Sequence, residues 1–182
     1  MMYVYANNVA NNWKSIKLIA MRPAITDEIE ALPFWDQRLK LFFIDENDEL
    51  MEQAKLLQHE STIKNHPIGC VAVKDGKIVA TASNQATIIN PLVVKWHATW
   101  LCVRRWLRIP TGKHYWLCPG CAQPRNHAEA RIARELEQKQ VGGATVYLYG
   151  HFWCCEPCSE SMLKARVLSV VLPEGAKAKF GR

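Results

Sequence analysis

The 182-residue chain has no run of eighteen or more apolar residues, so it offers no segment that would cross a bilayer as a helix. Its opening, "MMYVYANNVANNWKSIKLIAMRPAI", lacks the charged start and long apolar stretch of a secretory leader. No membrane partner is expected, and a cytoplasmic location is. Internal repeats and low-complexity tracts are absent too, which argues against solenoid and fibrous architectures. The seven cysteines cannot all pair. In a reducing compartment, clustered thiols are more often metal ligands or reactive groups than a disulfide framework.

What is present suits one packed domain: 49% of residues are hydrophobic, at a length that is short for two cores. The 23 basic and 17 acidic side chains leave a formal charge of +6. That balance favours phosphate-bearing partners through long-range attraction, and it equally fits a plain solvated surface.

Residues 1–44 show no sustained periodicity and are interrupted by Pro23 and Pro33, so they read as an N-terminal extension packed on a domain spanning 45–176. The tail 177–182, with Lys177, Lys179 and Arg182, reads as solvated. Within the domain, "DENDELMEQAKLLQHES" sets Leu50, Met51, Ala54 and Leu57 on one helical face. "HPIGCVAVKDGKIVATASNQ" reads as a hairpin turning at Asp75-Gly76 and ending at Asn84. An insertion, 85–126, contains "PLVVKWHATWLCVRRWLRIP", where Leu92, Trp96, Thr99, Trp100, Val103 and Leu107 predict a helix. "NHAEARIARELEQKQ" is a further helix, capped by Asn126. "ATVYLYG" is a buried strand, "EPCSESMLKAR" a helix and "VLSVVLPEG" another buried strand. This alternation builds a layered α/β sheet whose last strands are parallel.

The chemistry gathers where those helices begin. Cys155 and Cys158 stand as C-x-x-C at a helix start, where the positive end of the helix dipole favours thiolates. His127 and Glu129 open the preceding helix. One His and two Cys leave the fourth tetrahedral position of zinc open, the arrangement of a catalytic rather than a structural site, and Glu129 is then spare as a proton carrier. A second C-x-x-C, Cys118 and Cys121, has a Pro-Gly centre suited to a metal knuckle; it would need two further ligands from His97, Cys102, His114 or Cys70. Trp96, Trp100 and Trp106 lie among arginines; the pattern suits a stacking surface for nucleic acid, but core or subunit interface is the commoner use of such spacing.

The motifs "HAE" at 127–129 and "CCEPC" at 154–158 resemble the H-x-E and P-C-x-x-C signature of the zinc-dependent cytidine and deoxycytidylate deaminase superfamily, a signature that also marks base-flipping deaminases. Here the proline falls inside the second motif, at 157, and Cys154 stands in its usual place. The resemblance spans about Glu46 to Glu174. It implies a three-layer α/β/α fold with a mixed sheet of about five strands, and zinc held by His127, Cys155 and Cys158. It implies a water activated for attack on C4 of cytosine or C6 of adenine, with Glu129 as general acid and base. It also places Asn84 on the sugar, the backbone of Ala128 and Trp153 on the base edge, and Phe152 with Trp153 in the base pocket. "MEQAKLLQHES", the hairpin and "HFWCCEPC" look most like deoxycytidylate deaminases, so dCMP is the expected substrate and a homo-oligomer the expected assembly. A base in single-stranded DNA or tRNA is the alternative substrate. Outside this chemistry stand a non-enzymatic, nucleic-acid-binding zinc ribbon closed by Cys118, Cys121, Cys155 and Cys158, and a dithiol redox protein using Cys155 and Cys158.

Overall fold

The computed structural model describes residues 21–99, 102–109 and 113–181. Among the described residues, six strands form one mixed sheet: β1 (Arg22–Pro23), β2 (Lys40–Ile44), β3 (Gly69–Lys74), β4 (Lys77–Ser83), β5 (Thr145–Tyr149) and β6 (Ser169–Pro173), in the order β1-β2-β6-β5-β3-β4. β6 runs parallel to both β2 and β5, and the other pairs are antiparallel. The helices are α1 (Thr26–Glu30), α2 (Glu49–Leu56), α3 (Pro91–Thr99), α4 (Val103–Trp106), α5 (Ala128–Gln138), α6 (Glu156–Lys164) and α7 (Ala176–Phe180).

The period-two alternation of the central strands sorts their side chains onto two faces. Cys70, Ala72, Val146, Leu148, Val170 and Leu172 face Ala128, Ile132, Ala133, Leu136 and Met162 of α5 and α6. Val71, Tyr147, Tyr149 and Val171 face Leu50, Met51 and Ala54 of α2. Three layers result. α2 begins where the Asp48 carboxylate accepts hydrogen bonds from the Leu50 and Met51 amides, and the hairpin turns at Asp75 and Gly76, both at positive φ as a type I′ turn requires.

The expected layering therefore holds, with one strand more than the five anticipated. The stretch read as an aperiodic extension supplies β1, α1 and β2 along one side of the sheet. β2 has only five residues, and its pairing with β6 is a long-range match that no local period announces. The helix expected across 91–110 is divided into α3 and α4, because Cys102 is extended (ψ 100°) and caps a new helix. Its apolar stripe is not a core face: Leu92, Trp96 and Leu107 are exposed, and Trp100 lies outside the described residues. The cap of α5 is His127 rather than Asn126, which closes a short 3-10 turn begun by Pro124. Part of the tail is ordered as α7, with Lys179 Nζ 2.6 Å from Glu46 Oε1; Arg182 lies outside the described residues. Among the described residues, no helix is long and apolar enough to cross a membrane.

Because Ile132 is fully buried between α5 and the sheet, Ile132→Ala should cost about 2–5 kcal/mol of stability. Urea unfolding midpoints of the two proteins measure this directly.

Candidate active site and metal centres

The first turns of α5 and α6 meet beneath the sheet, and the residue capping each helix carries an atom that could bind a metal. His127 caps α5 and Cys155 caps α6, with Cys158 one turn further on. His127 Nδ1 lies 3.5 Å from Cys155 Sγ and 3.4 Å from Cys158 Sγ. A tetrahedral zinc with bonds of about 2.3 Å to sulfur and about 2.0 Å to nitrogen would separate those atoms by about 3.6 Å. The three donors thus surround a space of the right size for one such ion, and all three ligand atoms lie within 4.8 Å of one another. His127 also bonds the backbone of Ala122, a second contact that fixes the ring's orientation.

Glu129, on the first turn of α5, is only 3% exposed, and its Oε2 has no hydrogen-bond partner among the described residues. An unpartnered buried carboxylate oxygen is costly, and it fits a site that normally holds something more than protein. Burial pushes the Glu129 carboxyl above its ordinary value, opposed by the nearby His127 and His151 rings. The bond from Cys158, with that to His127, holds the Cys155 thiol well below its usual value; the same bond and burial push Cys158 up.

A cavity of about 440 Å³ opens over this group. Asn84, Glu129, Phe152 and Trp153 line it; the Ala128 side chain instead packs into the core. The Asn84 amide is engaged with protein: Oδ1 accepts from Ser61 Oγ at 2.6 Å and from the Ile68 amide at 2.9 Å, and Nδ2 donates to the His66 carbonyl at 2.8 Å. Sequence reasoning missed His66 and His151, and it missed Arg104, Arg105 and Tyr115 of the insertion, all of which reach the same cavity. His151 stacks on Phe152, and its Nδ1 meets the Trp153 carbonyl. Its place at the end of β5, directly before the ligand-bearing helix, was the available signal.

A second group forms in the insertion, where His97, Cys102, Cys118 and Cys121, all buried, bring their ligand atoms within 4.8 Å of one another. Of the four candidates named for completing this knuckle, His114 lies exposed and Cys70 is buried in the sheet core. The two C-x-x-C pairs thus enter separate groups, so a single ribbon site built from both does not form: Cys155 and Cys158 are committed to His127 by the packing of α5 on α6.

An open two-sulfur, one-nitrogen site with a buried carboxylic acid beside it belongs to the class of zinc-dependent hydrolases. Residues 44–174 match the family model described as the cytidine and deoxycytidylate deaminase zinc-binding region, and the chain belongs to that family. The redox and ribbon readings give way to it. No curated protein matches the chain. Among solved structures it is similar to the apo dCMP deaminase from cyanophage S-TIM5, at 20% identity over 72% of this chain and 86% of that one (TM-score 0.42). The same enzyme in complex with dCMP and dUMP matches at 22% identity over 71% and 83% (TM-score 0.43). Guanine deaminase from Bacillus subtilis matches at 17% over 74% and 69% (TM-score 0.41).

The raised Glu129 value carries a stability consequence in the metal-free protein. The folded state binds the proton more tightly than the unfolded chain, so this contribution is complete below the unfolded value near 4.5 and is lost as pH rises through the folded one. Glu129→Gln cannot ionise, so the variant's stability advantage over the parent should widen from pH 4 to pH 8 in chelator-treated samples. Paired thermal melts across that range measure it.

Proposed function

We propose that this site hydrolyses the exocyclic amine of a cytosine nucleotide, most simply dCMP to dUMP with release of ammonia, with His127, Cys155 and Cys158 as zinc ligands and Glu129 as the proton carrier. One observation carries the reading: the three ligand atoms converge beside a buried carboxylate with an unpartnered oxygen, at the wall of a nucleotide-sized cavity. Its volume, about 440 Å³, lies within the range typical of small-ligand pockets.

When bound, zinc supplies Lewis-acid activation of water at neutral pH. Glu129 takes the first proton that the attacking water gives up and passes it to the ring nitrogen N3; it then takes the second proton, from the hydroxyl left on C4, and gives it to the departing amine. The water oxygen bonds to C4, the C4–N4 bond breaks, and the ring leaves as uracil. Burial that raises the Glu129 value suits this task, because the same group must hold a proton in one step and release it in the next. Phe152 and Trp153 present apolar faces to a base, and Arg105 with the net charge of +6 favours a phosphate. Among the described residues Asn84 Nδ2 makes one protein bond, to the His66 carbonyl, which leaves its second N–H for a sugar hydroxyl. The seven free thiols suit a reducing, cytoplasmic setting.

A second reading has its own observation. Trp96, Trp106 and Trp116 are 59%, 82% and 71% exposed on the insertion that also supplies Arg104 and Arg105 to the cavity. Exposed aromatics among cations form a stacking surface for single-stranded nucleic acid, and they equally suit the interface of a homo-oligomer.

Mass spectrometry of bases, nucleosides, nucleotides and short oligonucleotides incubated with the protein decides among these, since deamination adds about one mass unit. Conversion of dCMP alone is the expected result; conversion confined to oligonucleotides would transfer the assignment to the polymer. Glu129→Ala should lower the rate by at least about a hundredfold while zinc content is unchanged.

A further inference from the structure

Among its described residues, the insertion has little apolar core of its own. Ile88, Ile89, Leu92, Trp96, Trp106, Leu107 and Trp116 are exposed; among the described residues its buried apolar groups are the three cysteines Cys102, Cys118 and Cys121, and Ala86 with Ala122 packed on Ile63 outside it. A segment with so little buried surface needs another source of cohesion.

The geometry points to a structural zinc at His97, Cys102, Cys118 and Cys121, which anchors the insertion and, through Arg104, the wall of the catalytic cavity. His97 Nε2 lies 3.3 Å and Cys102 Sγ 3.6 Å from Cys121 Sγ. Tetrahedral zinc would separate nitrogen from sulfur by about 3.6 Å and sulfur from sulfur by about 3.8 Å. Four protein donors close the coordination shell, so this centre holds structure and leaves no position for substrate. Each ligand ties down a different piece of chain: His97 lies on α3, Cys102 caps α4, and Cys118 and Cys121 flank a turn closed by the Cys121 amide on the Cys118 carbonyl at 3.1 Å. Gly120 permits the close approach; a Cβ there would sit 2.4 Å from His97 Cβ and Cγ.

On binding, three thiols release three protons to solvent, and neutral His97 donates its Nε2 lone pair. Three thiolates against a doubly charged ion leave one net negative charge, which is costly to bury alone. Arg104, itself buried, places Nη1 3.7 Å from Cys121 Sγ and supplies the opposite charge. Its guanidinium carbon lies 4.0 Å from the centre of the Tyr115 ring, and Tyr115 meets His127 edge-on with centroids 5.3 Å apart. The wall of the cavity thus runs by direct contacts from the second centre to the ligand histidine of the first. Arg104 is a positioning residue here. The inference does not depend on which substrate is deaminated.

The test is the metal content of the full-length protein after zinc supply and gel filtration. Two zinc ions per chain are expected, with Cys118→Ser/Cys121→Ser and His127→Ala each retaining one. In the cobalt-substituted protein, near-ultraviolet thiolate absorption should fall by about three-fifths in the double variant, because three of five cobalt–thiolate bonds are lost. If the double variant does not fold, the wild-type count still decides. One zinc per wild-type chain, or a second equivalent of a different metal, overturns the assignment. Arg104→Leu should release the second ion at roughly tenfold lower chelator concentration, with Arg104→Lys recovering part of the loss. Release unchanged in Arg104→Leu would remove Arg104 from the centre.

Discussion

Two helix starts packed against one another organise this molecule. α5 and α6 lie side by side on one face of the sheet, and their first turns meet at the edge of the core, so that the capping residues His127 and Cys155 point into a shared space. Neither cap uses its side chain to satisfy its own helix, which frees imidazole and thiol for another partner. The same arrangement turns Glu129 inward. Two residues beyond the cap it is buried, and its second oxygen finds no donor among the described residues. Its buried carboxyl is tolerated because Ala128, Ile132, Ala133 and Leu136 pin α5 to β3, β5 and β6.

The convergence of the candidate site was legible in the sequence to the extent that its spacing is local. His127 and Glu129 are two residues apart, Cys155 and Cys158 three, and each pair sits at a helix start that Pro124 or Pro157 helps to mark. The periodic elements α2, α5 and α6 and the Asp75-Gly76 hairpin were legible for the same reason. β2 was not: a five-residue strand acquires meaning only from a partner more than a hundred residues away. The stripe of the insertion does not form one helix with a core face, because the extended backbone at Cys102 starts a new helix and Trp96 and Trp106 are exposed; the subunit-interface reading of the tryptophans is untouched by this. Arg104, Arg105 and Tyr115 entered the cavity by tertiary convergence, which no period encodes.

The two C-x-x-C pairs share a spacing and differ in the backbone around them. Cys155 and Cys158 run straight into α6, so the helix backbone fixes both sulfurs on one side and occupies the chain that could have supplied another ligand. One histidine from a neighbouring helix completes a three-donor group beside a cavity. Cys118 and Cys121 flank a Pro-Gly turn, which leaves room for α3 and the start of α4 to add His97 and Cys102 from outside.

Charge separates the two groups as well. Two thiolates would neutralise a doubly charged ion and leave a fourth position open, whereas three would exceed its charge and be balanced by a cation such as Arg104, whose Nη1 lies 3.7 Å from Cys121 Sγ. With a zinc ion in each group, one centre would stay open for a further ligand while the other kept the cavity wall in place. The second group is built where the hydrophobic core is too thin to hold the wall by itself.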